Sequence, residues 1–189
     1  DCGVVHDLNS RLGYDGTKYE NANWNRDVTL REAFQFSCVP YYKKLTGKLQ
    51  KGYVQNVLEE LDYGNCDLSV WNSNGHNVFW IESSLLISPL EQIGVLKRIC
   101  SGATPFSPGH VAMLRKCMYQ GPVGQWTLFG KTGTGRNHNS NFLEAWFVGY
   151  AENKAGRVVY FALHGAAPGR DVVSPELRKI AGELLEHWQ

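Results

Sequence analysis

The stretch Phe129-Gly130-Lys131-Thr132-Gly133-Thr134-Gly135 is the most informative part of this sequence, because it places Lys-Thr-Gly after an aromatic, β-branched run. A phosphate-binding loop would need glycine five residues before Gly130, but that position is Gln125. At a strand edge, lysine offers an ammonium group to an anion, threonine adds a hydroxyl, and glycine lets a ligand approach the backbone. Taken alone, the stretch is equally typical of an exposed lysine before a glycine-rich turn.

The segments on the carboxyl side of this stretch have the composition of an antiparallel sheet. Aromatic and β-branched runs alternate with turn residues, and Glu152-Asn153-Lys154-Ala155-Gly156 predicts a hairpin. The predicted strands include Trp126 to Phe129, Leu143 to Tyr150 and Arg157 to His164. A closing helix is capped by Ser174-Pro175-Glu176 and has one apolar face. That face consists of Leu177, Ile180, Ala181, Leu184 and Leu185.

The segments on the amino side are mainly helical. Thr29 and Glu32 have the spacing of a capping box, and the helix that they open should end near Ser37 because Pro40 follows. Further helices are predicted over Leu49 to Leu61, from Ser88-Pro89-Leu90-Glu91 to Gly102, and from Ser107-Pro108 towards Gly121. Helices followed by a sheet and a closing helix indicate the α+β class. No linker divides residues 1–189, which are predicted to form a single domain.

The composition argues against several classes of partner. The 19 basic and 18 acidic residues give a net charge of +1, so neither nucleic acid nor a membrane surface is expected to bind. No apolar run is long enough to predict a membrane span. The five cysteines lack Cys-x-x-Cys spacing and the six histidines lack His-x-x-x-His spacing, so no metal site is predicted.

Two shorter motifs precede the Lys-Thr-Gly stretch. Ser37-Cys38-Val39 follows a predicted helix, where a serine is usually solvated or locally bonded. Tyr63-Gly64-Asn65 is by itself a turn that stops the next helix. The order and type of these motifs, together with Lys131-Thr132-Gly133, favour three walls of one cleft.

In this order the motifs resemble those of class D (OXA-type) serine β-lactamases, and of the penicillin-binding sensor domain of bacterial β-lactam receptors. The matching stretches are Trp24 to Ala33, Ser37 to Pro40, Tyr63 to Asn65, Phe79 to Gln92, Phe129 to Gly133 and Ala145 to Gly149. Tyr41 to Leu45 and Ile81 to Leu85 look nearest to forms from Gram-positive bacteria. The resemblance implies a β-lactamase/transpeptidase-like α+β fold, in which helices flank an antiparallel sheet.

The resemblance implies roles for five residues of the amino-side motifs. Ser37 would relay a proton between the nucleophile and the leaving amide nitrogen, and Val39 would form a wall beside a carboxylated lysine. Trp80 would donate its indole N–H to that lysine carbamate, although without the resemblance it is typical of a core aromatic. Tyr63 and Asn65 would shape the cleft.

Five further residues are assigned by the resemblance to substrate binding. Lys131 and Thr132 would hold the substrate carboxylate, and Lys131 would also act in catalysis. Arg178 would help them, although by itself it is typical of a solvated helix cation. Gly133 would let the substrate approach, and the backbone N–H of Thr134 would form part of the oxyanion hole.

One element of the family pattern is missing. In the family a Ser-x-x-Lys helix precedes these motifs, with its serine acylated and its lysine, as a CO2-derived carbamate, acting as general base. None of the serines in this chain has a lysine three residues later. Asp1-Cys2-Gly3-Val4-Val5 is similar in character to the stretch that follows that helix. We therefore expect an incomplete domain in which the N-terminal strands and the nucleophile helix are missing.

The function that the resemblance implies for the intact protein is β-lactam binding and hydrolysis. The reaction would pass through an acyl-serine and a carbamylated lysine, with no other cofactor, and this chain would be inactive alone. The alternatives are a sensor domain, which acylates without fast hydrolysis, and a non-catalytic remnant. The expected partners are a β-lactam and a missing N-terminal segment, and the expected location is outside the cytoplasm.

Overall fold

The computed structural model describes residues 3–71, 79–81, 84–136 and 142–188 of the chain. Part of one matching stretch, Glu82 and Ser83, lies outside the described residues. The chain divides into two compact units, the first comprising Asp1–Leu86 and Thr104–Cys117, the second Ile87–Ala103 and Met118–Gln189. That the whole chain is one domain stays a prediction.

The elements follow the predicted order of helices, sheet and closing helix. They are a 3₁₀ helix Ala22–Trp24, α1 Leu30–Gln35, α2 Val39–Thr46, α3 Lys51–Glu60, α4 Pro89–Ser101, α5 Pro108–Met118, β1 Tyr119–Val123, β2 Trp126–Arg136, β3 Leu143–Asn153, β4 Val158–Gly165 and α6 Ser174–Glu186. The α+β class predicted from the sequence is therefore confirmed.

Among the described residues of the first unit, apolar side chains form at least two clusters. The first cluster contains Val28, Ala33, Cys38 and Tyr41, and the second contains Leu58, Leu68 and Phe79. The predicted capping box opens α1, because the Glu32 carboxylate accepts a hydrogen bond from the Thr29 N–H at 2.8 Å. The Glu32 N–H donates in return to Thr29 Oγ1 at 3.2 Å. These reciprocal bonds fix the start of the helix that leads to Ser37.

The second unit is an antiparallel sheet in the order β1-β2-β3-β4, with helices on both faces. On one face α6 packs against a core in which Phe147 and Ala145 are fully buried. On the other face α4 packs against β4 and β3, and the ammonium of Lys97 lies 5.9 Å from the centre of the Tyr160 ring. The predicted hairpin joins β3 to β4.

The prediction that the helix beginning at Ser107-Pro108 runs towards Gly121 was wrong at its carboxyl end. The helix stops at Met118, and Tyr119–Val123 forms strand β1, paired with the start of β2. Gly121 has φ of +106°, which an L side chain rarely adopts and which no helix contains. The glycine therefore lies inside a strand irregularity rather than at a helix end.

Two details of the closing helix also differ from the prediction. Ser174 is its first residue, and the N-cap is Val173, which makes no side-chain cap hydrogen bond. Leu177, Ala181 and Leu185 are buried against the sheet, but Ile180 and Leu184 are 42% and 57% exposed. A helix on a single sheet face buries only the stripe that points at the sheet, and Ile180 and Leu184 lie on its flank.

The described residues contain no membrane-spanning helix, no metal-binding cluster and no disulfide among their cysteines. None of their helices has the length and apolar character needed to cross a bilayer. Within the same residues, no cluster of three or more His, Cys, Asp or Glu side chains is placed to bind a metal ion. The described cysteines, Cys38, Cys66, Cys100 and Cys117, form no disulfide with one another.

Candidate active site

The Lys-Thr-Gly motif lies on the part of β2 that extends beyond β1. The register pairs Tyr119 with Phe129, so among the described residues the ladder between β1 and β2 ends at Phe129, while β2 continues opposite β3 as far as Arg136. Gln120, beside this boundary, donates its side-chain amide to the Gly130 carbonyl at 3.1 Å. The strand-edge position predicted for Lys131 is therefore confirmed.

Lys131 and Thr132 bring an ammonium group and a hydroxyl together. Lys131 Nζ donates to the Thr132 carbonyl at 2.7 Å and lies 3.4 Å from Thr132 Oγ1. Both residues are half-buried. Because burial disfavours the charged form, it lowers the pKa of Lys131. A partly desolvated ammonium beside a hydroxyl is suited to holding a carboxylate.

The glycines in and beside the Lys-Thr-Gly motif differ in whether the packing of their neighbours requires them. A Cβ atom at Gly130 would lie 2.6 Å from Phe147 Cζ, and one at Gly149 on β3 would lie 2.0 Å from the Phe129 carbonyl oxygen. These two positions need glycine for internal packing. A Cβ at Gly133 would meet only the Trp146 Cβ, at 3.5 Å, which is ordinary contact. The bare backbone at Gly133 is therefore not required by the packing of its neighbours.

Three residues without a predicted role lie on the same sheet face as Gly133. Trp146 is directly opposite Gly133, and His164 is directly opposite Trp146. The Trp146 and His164 ring centres are 4.5 Å apart, and His164 Nε2 lies 3.1 Å from Glu144 Oε2. The predicted hairpin is the sequence signal that could have aligned His164 with Trp146, whereas the alignment of Trp146 with Gly133 depends on the pairing of β2 with β3.

Ser37 lies at the end of α1 in a left-handed conformation, with φ of +49°. The Ser37 N–H donates to the Phe34 carbonyl at 3.3 Å, and the Cys38 N–H donates to the Ala33 carbonyl at 2.8 Å. This pair of bonds is a Schellman motif, which usually has glycine where Ser37 stands. Ser37 is exposed, and α2 begins at Val39. The predicted turn at Ser37 is confirmed.

The Tyr63 motif follows a second Schellman motif, at the end of α3. The Asp62 N–H donates to the Glu59 carbonyl at 3.1 Å, the Tyr63 N–H donates to the Leu58 carbonyl at 2.9 Å, and Asp62 has φ of +47°. The Tyr63 ring packs beside the Leu58 cluster, and burial raises the pKa of its hydroxyl. The predicted loop that stops this helix is therefore confirmed.

Asn65 holds its own loop together. Its side-chain amide donates to the Ser84 carbonyl at 2.9 Å, and its side-chain oxygen accepts from the N–H groups of Leu86 at 2.9 Å and Asp67 at 3.2 Å. The side chain is therefore occupied by backbone groups. A loop-shaping role suits this geometry better than direct contact with a ligand.

The structure brings some of the predicted residues together within each unit. In the first unit, Trp80 packs against the same cluster as Tyr63, and its ring centre lies 5.3 Å from that of Phe79. Ser37 and Val39 are the chain neighbours of Cys38, which belongs to the cluster of Val28, Ala33, Cys38 and Tyr41. In the second unit, Thr134 is exposed near the end of β2, and Arg178 is exposed on α6 beside the buried Leu177.

Comparison with known proteins identifies the family. Residues 5–186 match the penicillin binding protein transpeptidase domain, so the match takes in both units and all ten candidate site residues. The chain belongs to this family. Probable β-lactamase YbxI of Bacillus subtilis (strain 168) is 35% identical over 147 residues, which cover 78% of this chain and 52% of the relative. The chain therefore spans about half the length of that relative.

Solved structures of this transpeptidase family share the fold. A class D β-lactamase from Sebaldella termitidis ATCC 33386 superposes with a TM-score of 0.84 at 33% identity, covering 99% of this chain and 75% of that one. The C-terminal domain of the Bacillus licheniformis BlaR penicillin-receptor gives a TM-score of 0.80 at 27% identity, covering 95% and 71%. The β-lactamase/transpeptidase-like fold predicted from the motifs is confirmed.

Proposed function

We propose that the intact protein binds β-lactams and hydrolyses them as a class D-type serine β-lactamase, and that this chain supplies the strand that holds the substrate carboxylate. The observation that supports this proposal is the geometry at Lys131. A half-buried ammonium lies 3.4 Å from the Thr132 hydroxyl, on a strand edge that β1 leaves uncovered. The packing of the sheet does not explain the glycine that follows.

The groups on β2 and α6 would act on the substrate. Lys131 and Thr132 bind the carboxylate through charge-assisted hydrogen bonds, and Arg178 adds a second positive charge. Gly133 keeps the strand face open to the β-lactam ring. The backbone N–H of Thr134 donates to the carbonyl oxygen as negative charge develops on it.

The groups of the first unit would act around the nucleophile. The Ser37 hydroxyl carries the proton between the attacking serine and the leaving amide nitrogen. Val39 forms an apolar wall beside the carboxylated lysine, and the Trp80 indole N–H donates to the carbamate. Tyr63 and Asn65 keep the loop that shapes the cleft, consistent with the backbone bonds of the Asn65 amide.

We further propose that this chain alone forms no acyl-enzyme. No serine in its sequence has a lysine three residues later, so neither the serine nucleophile nor the carbamylated base is present. A segment that carries Ser-x-x-Lys would be the partner required for turnover. The protein would meet β-lactams outside the cytoplasm.

A β-lactam sensor is the second candidate function, and one observation favours it. The penicillin-receptor domain from B. licheniformis matches the fold over 95% of this chain. Both candidates acylate a serine, and they differ in how fast the acyl-enzyme is hydrolysed. Deacylation within minutes would identify the hydrolase, and an adduct that lasts for hours would identify the sensor.

The experiment that tests carboxylate binding is an NMR titration of the backbone amides of β2. A penicillin should shift the Thr132, Gly133 and Thr134 signals, and the methyl ester of the same penicillin, which lacks the carboxylate, should not. Lys131→Met should remove the response, and Lys154→Met, at an exposed turn, should keep it. Equal shifts with acid and ester would overturn the proposal.

Intact mass before and after incubation with the penicillin tests inactivity separately. No increase is expected for this chain. An increase of one drug molecule would show that another serine is acylated, with Ser37 the first to examine, and would contradict its assignment as a proton relay.

A further inference from the structure

The hairpin of β1 and β2 holds one extra residue on its β1 side, Gln120. The register pairs Tyr119 with Phe129 and then Gly121 with Leu128, so β1 advances by two residues where β2 advances by one. An extra residue of this kind is a β-bulge, and bulges beside active sites commonly end strand pairing or redirect a side chain. The bulge therefore sets the direction of the Gln120 side chain.

The turn of the same hairpin shows which backbone groups of β2 point towards β1. Val123 pairs with Trp126 across the two-residue loop Gly124-Gln125, and Gly124 has φ of +56°, as the first position of a type II′ turn requires. Such a loop closes on a hydrogen-bonded pair, and the residues of an antiparallel strand alternate in the side towards which they bond. Because β2 is regular against β3, its outward groups belong to alternate residues. These are Trp126, Leu128, Gly130, Thr132 and Thr134.

The carbonyl of Gly130 is the first outward acceptor beyond the last paired residues, Tyr119 and Phe129. Gly130 is buried, and a buried carbonyl needs a hydrogen-bond partner. The Gln120 side-chain amide supplies that partner, because its Nε2 donates to the Gly130 oxygen at 3.1 Å. The half-buried glutamine side chain thus takes the place that a strand N–H has in a regular ladder.

The next outward acceptor, the Thr132 carbonyl, accepts a hydrogen bond from Lys131 Nζ at 2.7 Å. Alternate residues of a strand are about 7 Å apart, so the Gly130 and Thr132 carbonyls lie on either side of Lys131 along one edge. Without the Gln120 amide, the Gly130 carbonyl would be a second acceptor for the ammonium. Its partial negative charge would also repel an incoming carboxylate. The hydrogen bond from Gln120 removes both effects.

We propose that Gln120 is a positioning residue for the β-lactam carboxylate, acting through the Gly130 carbonyl on Lys131 and Thr132. Its amide closes the ladder at Gly130, so that the outward N–H groups of Thr132 and Thr134 are the next donors along the edge. This inference rests on the proposed function, because it concerns the same site. The contacts that support it all lie within one hairpin.

Amide hydrogen exchange tests the Gln120 hydrogen bond without a ligand. The side-chain amide protons of Gln120 should exchange with solvent more slowly than those of Gln125, in the same hairpin. Gln125 is exposed, and its amide donates to the Trp188 carbonyl at 3.3 Å. In Gln120→Leu the carbonyl carbon of Gly130 should also change its chemical shift, which Gln125→Leu should not cause.

Two substitutions test the effect on binding, measured from the amide signals of Thr132 to Thr134 during titration with a penicillin. Gln120→Leu removes the donor at similar size and should raise the dissociation constant of the penicillin roughly threefold to tenfold. Gln120→Glu also places a negative charge beside the carboxylate site, so it should raise the constant further. Gln125→Leu is the matched control and should leave the constant unchanged.

The exchange rates of the Lys131 and Gly133 backbone amides, which face β3, separate positioning from loss of structure. They should stay the same in all variants, because none of the substitutions changes the ladder of β2 with β3. Weaker binding together with faster exchange at these two amides would overturn the inference, since Gln120 would then serve only to keep the sheet folded.

The outcomes distinguish this inference from the proposed function. No response to penicillin in the unmodified chain would overturn both. A response that Gln120→Leu leaves at full strength would overturn the inference alone, and so would an equal loss in Gln125→Leu. If Gln120→Leu fails to fold, Gln120→Glu and the side-chain exchange of the unmodified chain decide the question. Equal exchange at Gln120 and Gln125 would contradict the hydrogen bond on which the inference depends.

Discussion

Gly133 on β2 lies directly opposite Trp146 on β3, and a Cβ atom added at Gly133 would meet the Trp146 Cβ at 3.5 Å. That is an ordinary contact distance, so a methyl group fits here. Three residues earlier, a Cβ at Gly130 would lie 2.6 Å from the ring of Phe147, which is fully buried. One glycine is therefore required by packing and the other is not, although both stand in the same motif.

Gly133→Ala should leave the fold intact and abolish β-lactam binding. The methyl group makes only an ordinary contact with the Trp146 Cβ, so the free energy of unfolding should change by less than about 0.5 kcal/mol. The same methyl group would occupy the face that the β-lactam ring approaches. Chemical denaturation and the amide titration of Thr132 to Thr134 measure the two effects.

Gly130→Ala is the control, and it should cost about 1–3 kcal/mol because the Phe147 ring has no room to move. Equal destabilisation by the two substitutions would mean that Gly133 also serves packing. Unchanged β-lactam binding by Gly133→Ala would remove the open strand face from the proposed site.

Ser37→Gly should stabilise the first unit and remove the proposed proton relay. Ser37 has φ of +49° at the position of a Schellman motif that glycine usually occupies, and relief of the left-handed strain should contribute about 0.5–1 kcal/mol. Ser37→Ala removes the hydroxyl without that relief. Thermal unfolding measures the gain, and acylation in the presence of a Ser-x-x-Lys segment measures the relay.

Asp62→Gly is the matched control, because Asp62 occupies the same position after α3 with φ of +47°. It should stabilise by a similar amount and leave acylation unchanged. A Ser37→Gly variant that acylates as fast as the unmodified chain would show that the serine serves only the helix end.

Local sequence rules predicted two capping boxes and the hairpin because these depend on neighbouring residues. Thr29 with Glu32 and Ser88 with Glu91 form complete capping boxes. β1 was missed because Tyr119 to Val123 is a strand only through pairing with β2, and its proline and glycine are poor strand formers. Trp146 and His164 were missed because their position beside Gly133 depends on strand register rather than on sequence spacing.

The half-buried amine of Lys131 should add a contribution to stability that rises with pH. Its pKa is lowered in the folded state, so as the pH increases towards the usual pKa of lysine, the folded chain loses this proton before the unfolded chain does. The unfolded chain then binds more protons, and the free energy of unfolding increases. Urea denaturation between about pH 8 and pH 10 should therefore give a more positive slope in the unmodified chain than in Lys131→Met, because burial raises the pKa of Cys38 and Cys117 and this lowers the stability of both proteins over the same range.

Lys131→Arg separates the titration from the charge, because arginine stays protonated throughout this range. It should also lack the contribution that rises with pH, while keeping a cation at the site. The measurement stops near pH 10 because burial raises the pKa of Tyr41 to about 12, which makes stability fall at higher pH. An identical pH slope in all three proteins would contradict the lowered pKa of Lys131.

Glu32→Gln should reduce the fall in the free energy of unfolding that occurs at acidic pH. The Glu32 carboxylate accepts hydrogen bonds from the Thr29 N–H at 2.8 Å and from Arg26 at 2.9 Å, and these lower its pKa from 4.5 to about 2. The stabilisation is therefore complete above about pH 4.5 and is lost as the pH falls towards about 2. Urea denaturation of the two proteins at pH 7, 4 and 3 should give free energies of unfolding that converge as the pH falls.

Glu20→Gln, at an exposed position, is the matched control, and its free energy of unfolding should run parallel to that of the unmodified chain. Curves for Glu32→Gln that stay parallel down to about pH 3 would show that this capping box does not couple to proton binding.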